Sequence, residues 1–179
     1  MHKLRQLKLF LLYLLDKKPR DPLRPVVCRF YITPFDVELT RAVSHAYLAF
    51  SGLGKWYWSF NNVNWRGLMK GRWTALTHSD LIHYRRAVKL FTVIEVTTTL
   101  IWWDEKMAYV EQRITQGDKV SAIVYSRGTF FAGKERISPR LGAVGLPVVP
   151  PMAKPGIIDI WSATDSYVHQ VLSQAASST

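Results

Sequence analysis

The stretch from Thr92 to Phe131 constrains the fold most, because it predicts three β-strands in a row with very short connections. Its first part is dense in β-branched residues, which favour an extended, pleated backbone. AspGlu at 104 and 105 and GlyAsp at 117 and 118 mark the two turns. Strands joined by such short turns pair in opposite directions, so the sequence predicts an antiparallel meander. The predicted strands are Thr92–Trp103, Met107–Thr115 and Val120–Phe131.

An apolar stretch ahead of these strands predicts a buried helix. Ser44 can cap its start, and apolar side chains then recur at helical spacing from Tyr47 to Tyr57. Because these side chains cover most of the helix circumference, we expect the helix to be buried. A strand at Val26–Ile32 precedes it, and alternating side chains from Trp73 onward predict another strand after it.

The C-terminal region predicts a connector followed by one more helix. The segment Pro139–Pro155 is rich in Pro and Gly and predicts an extended connector. Ser162, with Asp165 three residues later, predicts the start of the terminal helix. The predicted fold class is therefore α+β, with an antiparallel sheet, a long central helix lying on it and extra helices at both termini. The predicted units are a helix and linker (1–25), a central domain (26–140), and a connector and helix (141–179).

The balance of charge is strongly basic, and much of it lies at the N-terminus. The formal net charge is +11 and the pI is near 10.0, which predicts attraction to an anionic partner. Eight basic and two acidic residues fall between Met1 and Arg29. The rest of the chain is only mildly basic, so we expect no nucleic-acid partner.

Residues 1–18 predict a short basic amphipathic helix. Its apolar run, residues 7–15, is too short to cross a bilayer and lacks the small-residue cleavage site of a signal peptide. Two placements stay open: on a membrane surface, or against the domain or a partner subunit. The single cysteine, Cys28, excludes an internal disulfide, and we expect it to be a small buried residue. We therefore expect a cytoplasmic protein, with or without peripheral contact to a membrane.

Two acids, Asp36 and Glu38, stand between the first strand and the central helix. Carboxylates at that point can act as base or nucleophile beside the unpaired amides of a helix N-terminus. They can equally be solvated loop acids that cap the helix. His45 presents the same choice between a site residue and an ordinary residue of the first helical turn.

Five short segments, taken in their order and spacing, resemble a known family. They resemble single-domain hot-dog thioesterases of the 4-hydroxybenzoyl-CoA thioesterase-like superfamily, over roughly Cys28 to Pro139. The resemblance implies a sheet wrapped around a long helix, with acyl-CoA sites at a subunit interface. It also implies a homodimer, or a tetramer of dimers, formed through paired sheets. The segments are AspValGlu at 36–38, TyrLeuAlaPheSerGlyLeuGlyLysTrp at 47–56, IleHisTyrArgArg at 82–86, TrpTrpAspGluLysMetAlaTyrValGluGlnArg at 102–113 and ArgGly at 127–128.

The same resemblance implies roles for particular residues. In the family pattern the second of two acids is catalytic, which gives that role to Glu38 and a supporting role to Asp36. A His usually follows; that position is Ala42 here, and the nearest polar substitutes are Ser44 and His45. The implied catalytic residues are Glu38, Asp36 and His45, and the implied substrate contacts are Ser44, Ala46, Tyr47, His83 and Arg85.

The function that the resemblance implies is hydrolysis of acyl-CoA or a related acyl thioester, with helix amides binding the oxyanion. Coenzyme A would enter as part of the substrate, and we expect no cofactor and no metal. The alternative is a non-catalytic hot-dog protein that binds acyl groups or a protein partner and is held at a membrane by its N-terminal helix. The replacement of the usual His by Ala42 favours this alternative. His83 and Arg85 can also be ordinary strand residues.

Overall fold

The computed structural model describes residues 2–15, 21–38, 41–42, 44–62, 73–139, 146 and 150–177. The sequence also predicts a polar, turn-like segment at 61–71 after the central helix and places the N-terminal linker at 17–25. The segment 61–71 and the predicted connector 139–155 lie largely outside the described residues, as does part of this linker. The α-helices within the described residues are α1 (His2–Leu15), α2 (Ser44–Asn62) and α3 (Ile157–Ser177). The strands are β1 (Val26–Tyr31), β2 (Val37–Glu38), β3 (Arg41–Ala42), β4 (Trp73–Tyr84), β5 (Val93–Trp103), β6 (Ala108–Gln116), β7 (Lys119–Ala132) and β8 (Glu135–Ile137).

The described strands form one main sheet in which the predicted meander is confirmed. Its six strands are antiparallel, in the order β1-β5-β6-β7-β4, with β8 paired to the end of β7. Gly117 has a φ of 56° and turns β6 into β7 beside the pair Gln116 and Lys119. Glycine reaches this left-handed region without a steric cost, and a two-residue hairpin needs it there. Among the described strands, β1 and β4 stand at the two ends of this strand order.

The central helix α2 lies on one face of this sheet, over β1 and β5. Phe50 and Leu53 belong to a buried cluster that includes Phe30 of β1 and Val96 of β5. Full burial of a side chain of this size contributes roughly 1.5 to 3 kcal/mol. The expected burial of α2 is correct for this side only, because Leu48 on the other side is 43% exposed.

A buried polar network fixes the height of α2 above the sheet. The Gln112 side chain of β6 donates from Nε2 to the Ser51 carbonyl and to Thr98 Oγ1, both at 3.0 Å. Ser51 Oγ donates back to Gln112 Oε1 at 2.5 Å. A Cβ at Gly54 would lie 2.6 Å from Gln112 Nε2 and 2.8 Å from Val96 Cγ1, so only glycine allows this approach.

The predicted N-terminal helix is α1, and it packs on the domain, which is one of the two placements left open. Leu9 is 2% exposed and joins the core beneath α2. The rings of Phe10 and Tyr13 lie 5.7 and 5.5 Å from the ring of Phe60 in α2. Arg5 of α1 reaches across to Asp36, with nitrogen to oxygen distances of 2.6 and 2.7 Å. The inner side of α1 is thus part of the core.

The terminal helix α3 begins at Ile157, so the predicted start at Ser162 was wrong. The backbone amide of Ile158 already donates to the Pro155 carbonyl at 3.0 Å, which starts the helix earlier. Ser162 lies inside α3 and donates from Oγ to the Ile158 carbonyl at 3.1 Å. Asp165, instead of closing a capping box, forms a bidentate pair with Arg127 of β7. The helix therefore lies on the outer face of the sheet, opposite α2.

Candidate active site

A cavity of about 720 Å³ opens at the N-terminus of α2. The first turn of α2, the ribbon of β2 and β3, and the segment that follows β4 form its walls. Five of the residues that the sequence analysis assigned to a site meet in it: Glu38, Ser44, His45, Tyr47 and Arg85. Ala42, Tyr84, Arg86 and Ala87 complete its lining.

The helix terminus gives this cavity hydrogen-bond donors. Ser44 and His45 are exposed residues of the first turn of α2. Amides in the first turn have no acceptor within the helix and carry partial positive charge. Such a terminus binds anionic groups, including the oxyanion that forms when a carbonyl is attacked.

Glu38 is the carboxylate that faces this cavity. It ends β2, where it pairs with Arg41 of β3 in a two-stranded ribbon. The side chain is exposed and lines the cavity beside the first turn of α2. An exposed carboxylate near unpaired helix amides can accept a proton from water or attack a carbonyl directly.

Asp36 lies two residues earlier and has a different environment. It is 8% exposed and is absent from the cavity lining. Its oxygens accept hydrogen bonds from Arg5 Nη1 and Nη2 and from the amide and hydroxyl of Thr33. Burial raises the pKa of Asp36, but the hydrogen bonds from Arg5 and Thr33 outweigh burial and lower the pKa to about 2. A carboxylate held in this way is a weak base, and the geometry gives it the role of anchoring α1 next to Glu38.

Tyr47 positions the far wall of the cavity. Its hydroxyl donates to the Arg86 carbonyl and accepts from the Val88 amide, both at 3.0 Å. Tyr47 is only 4% exposed, and these two hydrogen bonds hold the backbone after β4 against α2. The amides of Arg85 and Arg86 also donate to the Ser121 carbonyl, so both guanidinium groups extend from a fixed backbone.

Two of the sequence-predicted substrate contacts lie elsewhere. Ala46 is 3% exposed and belongs to the core cluster under α2. His83 precedes Tyr84 on β4, and alternation places it on the opposite face of the sheet from the cavity. Their predicted contact with substrate gains no support from this geometry.

A second cavity, of about 410 Å³, follows the first along α2 and β4. Most of its wall is apolar or small, with Leu48 and Trp56 on the side of α2 and Leu76 and Phe130 on the side of the sheet. Apolar pockets of a few hundred Å³ with few polar groups are typical of small-molecule sites. The walls of this one are suited to an apolar group.

One charged cluster interrupts the apolar wall of the second cavity. Lys55 Nζ lies 2.9 Å from Asp80 Oδ1 and 3.2 Å from Ser126 Oγ, and Ser126 donates to Asp80. Sequence reasoning missed this cluster. The sequence feature that could have revealed the cluster is Lys55, which is the one charged residue between Ser44 and Asn62. A single charge in an otherwise largely apolar helix indicates a specific partner.

Comparison with known proteins identifies the class to which this fold belongs. The fold is that of the hot-dog thioesterases, as its structural neighbours show. The Probable Thioesterase YbaW of Escherichia coli superposes with a TM-score of 0.58 at 16% identity, over 68% of this chain and 92% of that chain. A Staphylococcus aureus hypothetical protein in complex with CoA also gives 0.58, at 11% identity, over 78% of this chain and 94% of that chain. At these identities the likeness establishes the fold alone.

The family follows from the sequence itself. The model of the thioesterase-like superfamily matches residues 36–157, and the chain belongs to that superfamily. Protein THEM6 of Xenopus laevis is 46% identical over 48 residues, which is 26% of this chain and 23% of that protein. Protein THEM6 of Drosophila melanogaster is 38% identical over 55 residues, 30% of this chain and 28% of that protein. The matched stretch therefore spans only about a quarter of the length of these relatives.

Proposed function

We propose that this protein hydrolyses acyl-CoA or a closely related acyl thioester. The observation that carries the proposal is the cavity at the N-terminus of α2, where Glu38 and the first-turn amides face the same space. Membership of the thioesterase-like superfamily supports the reaction class. The structural neighbour from Staphylococcus aureus, which contains CoA, supports a CoA thioester as the substrate.

In this proposal Glu38 supplies the base or the nucleophile. As base, it takes a proton from water while the water oxygen attacks the thioester carbonyl. Amides near Ser44 to Ala46 stabilise the negative oxygen of the tetrahedral intermediate. The intermediate then collapses, the carbon–sulfur bond breaks, and CoA leaves as a thiol after gaining the proton. His45 lies at the same helix end and is the second candidate for transferring that proton.

In this proposal the two cavities bind different parts of the substrate. We call the cavity at the N-terminus of α2 the polar cavity. Arg85 and Arg86 line the polar cavity and suit the phosphates of CoA, because a guanidinium binds phosphate bidentately. The apolar second cavity, next along α2, suits the acyl group. We further propose that the protein is a homodimer whose subunits are joined through their sheets. In this proposal it is located in the cytoplasm or bound peripherally to a membrane.

Kinetics of matched variants test the role of Glu38. Purified wild type is assayed with aliphatic and aromatic acyl-CoAs, beside Glu38→Gln and Glu135→Gln. We expect Glu38→Gln to lower kcat by about 10²- to 10⁴-fold with a small change in KM. Glu135, an exposed residue of β8 outside both cavities, serves as the control and should leave kcat unchanged.

Two outcomes would contradict the assignment. Unchanged turnover in Glu38→Gln would remove Glu38 from the chemistry. Saturable binding of acyl-CoA by wild type without turnover of any thioester would favour the non-catalytic alternative.

A second function, contact with a membrane surface, is favoured by the outer side of α1. Its leucines at positions 4, 7, 11 and 14 form a stripe at helical spacing, and we call this stripe the leucine face. All four are at least half exposed, and Lys3 and Lys8 flank them. An apolar stripe with flanking lysines suits the surface of an anionic bilayer. Among the described helices, none is both long and apolar enough to span a membrane.

A further inference from the structure

The charged cluster of the second cavity lies where the proposed function puts the acyl group. Lys55 of α2 and Asp80 of β4 form its ion pair, with side chains 22% and 24% exposed. Ser126 of β7, which is 1% exposed, donates to Asp80 and lies 3.2 Å from Lys55 Nζ. All three residues line the cavity, so a bound acyl group would displace water from them.

A count of donors and acceptors shows what the cluster can still bind. A lysine ammonium has three N–H donors, and Lys55 directs two of them at Asp80 Oδ1 and Ser126 Oγ. A carboxylate has two acceptor oxygens, yet the hydrogen bonds from Lys55 and Ser126 both reach Asp80 Oδ1. Within the described residues, one donor of Lys55 and the Oδ2 acceptor of Asp80 are therefore left for water or a ligand.

A hydroxyl group suits this remaining donor and acceptor together. Its oxygen can accept from Lys55 while its proton is donated to Asp80 Oδ2. A carbonyl can only accept and would leave Oδ2 unpaired, and a carboxylate would meet Asp80 with the same charge. An alkyl chain would displace the water and offer no hydrogen bond in return, which is costly for both groups.

Two elements give similar distances from the proposed position of the thioester carbon to this cluster. Along α2, Lys55 lies ten residues beyond His45 of the first turn, which is roughly 15 Å. Along β4, Asp80 lies four residues before Tyr84 of the polar cavity, which is roughly 13 Å. An extended chain advances roughly 1.2 Å per bond, so roughly eleven or twelve bonds cover either distance.

The second cavity is apolar on both sides of the cluster. Leu48 lies between the cluster and the polar cavity. Because β4 runs toward the polar cavity, Leu76 lies on the far side of Asp80, and Phe130 of β7 lines the same far end. These walls suit an alkyl chain that continues past the cluster.

We infer that the preferred substrate is a long-chain acyl thioester with a hydroxyl in mid-chain, at roughly the twelfth carbon. Lys55 and Asp80 bind this hydroxyl and thereby select the substrate, while the alkyl segments before and after it contact the apolar walls. The inference rests on the proposed function, because it specifies the acyl group of the proposed thioester. The cluster acts by binding alone, and no bond forms or breaks there.

Binding of thioether analogues tests this selection without turnover. In these analogues of octadecanoyl-CoA a CH₂ group replaces the thioester carbonyl, so they cannot be hydrolysed as thioesters. Isothermal titration compares a plain chain with chains that carry a hydroxyl at the twelfth or at the third carbon. We expect the twelfth-carbon analogue to have a Kd at least about tenfold below that of the plain analogue. The third-carbon analogue should stay within about threefold of the plain one, because its hydroxyl lies far from the cluster.

A paired substitution removes the cluster without leaving one charge unpaired. In Lys55→Met combined with Asp80→Leu, we expect the Kd values of the plain and twelfth-carbon analogues to agree within about threefold. The control is Lys154→Met combined with Asp159→Leu, which removes an exposed pair of the same two residue types outside both cavities and should keep the preference. Circular dichroism checks that both variants fold.

The outcomes separate this inference from the proposed hydrolysis. Equal Kd values of wild type for the plain and twelfth-carbon analogues would overturn the inference, even where the paired variant does not fold. Failure of wild type to bind any of the analogues would overturn it as well, and so would a preference that survives the loss of Lys55 and Asp80. A preference that depends on the cluster, in a protein that hydrolyses none of the corresponding acyl-CoAs, would support the site and overturn the proposed hydrolysis.

Discussion

Two carboxylates only two residues apart have opposite environments in this protein. Asp36 is enclosed by Arg5 and Thr33, whereas Glu38 lies open at the cavity. The resemblance to the thioesterase family implied a supporting role for Asp36, but it could not show which contacts would provide that role. The partner that encloses Asp36 comes from another helix, 31 residues earlier in the chain. A local sequence pattern cannot reveal an ion pair between residues so far apart in the chain.

The pair of Arg5 and Asp36 predicts a pH-dependent stability. Because the folded-state pKa of Asp36 is lowered from 3.8 to about 2, the carboxylate stabilises the fold above pH 4 and loses this effect as pH falls toward 2. Arg5→Met should lower the free energy of unfolding by roughly 2 kcal/mol at pH 7. Roughly half of that difference should remain at pH 3. Urea unfolding followed by tryptophan fluorescence at both pH values measures it.

Arg29→Met is the matched control, because Arg29 pairs with Glu95 at the surface. The Arg29 side chain is 74% exposed, so its loss should cost less than about 1 kcal/mol. Equal losses of stability in the two variants, or a loss in Arg5→Met that does not shrink at pH 3, would contradict the account of Asp36.

At the scale of elements, the strands and the central helix could be predicted, whereas the start of α3 could not. Alternation and short turns are local properties, and they gave β5, β6 and β7 nearly to the residue. Ser162 and Asp165 imitate a helix start, yet the pairing of Asp165 with Arg127 is tertiary and invisible in the sequence. The polar cavity was predictable in part, since Glu38 and His45 flank a recognisable helix start. The cluster of Lys55, Asp80 and Ser126 was not, because its members come from three separate elements.

The two glycines of α2 give a prediction about how this helix meets the sheet. Gly54→Ala should destabilise the fold by roughly 1 to 3 kcal/mol, because the new Cβ meets Gln112, Val96 and Thr98 at 3.0 Å or less. Gly52→Ala, two residues earlier, has nothing within 4 Å of its Cβ and should be neutral or stabilise by up to about 1 kcal/mol. Thermal unfolding of both variants measures the difference. Equal effects at the two positions would show that the network around Gln112 does not fix the height of α2.

At the scale of the whole molecule, two surfaces are not needed to close the core. The polar cavity and the leucine face occupy different elements, namely the start of α2 and the outer side of α1. Because Arg5 and Leu9 fix the inner side of α1, the leucine face keeps a constant direction relative to the cavity. If a membrane bound to the leucine face, the polar cavity would therefore have a defined orientation relative to that membrane.

The leucine face leads to a prediction about membrane binding. Vesicles of phosphatidylserine and phosphatidylcholine should carry the wild type upward in a flotation assay, and raised salt should weaken the binding because lysines contribute to it. Leu7→Ser combined with Leu11→Ser should lower the partition coefficient by at least about tenfold, since each exposed leucine loses apolar area that the bilayer would cover. Phe91→Ser, which removes a 62% exposed apolar side chain outside α1, is the control and should float as wild type does. If the leucine variant floats as well as this control, the outer side of α1 is not a membrane contact, and the packing of its inner side on the domain is the whole role of the helix.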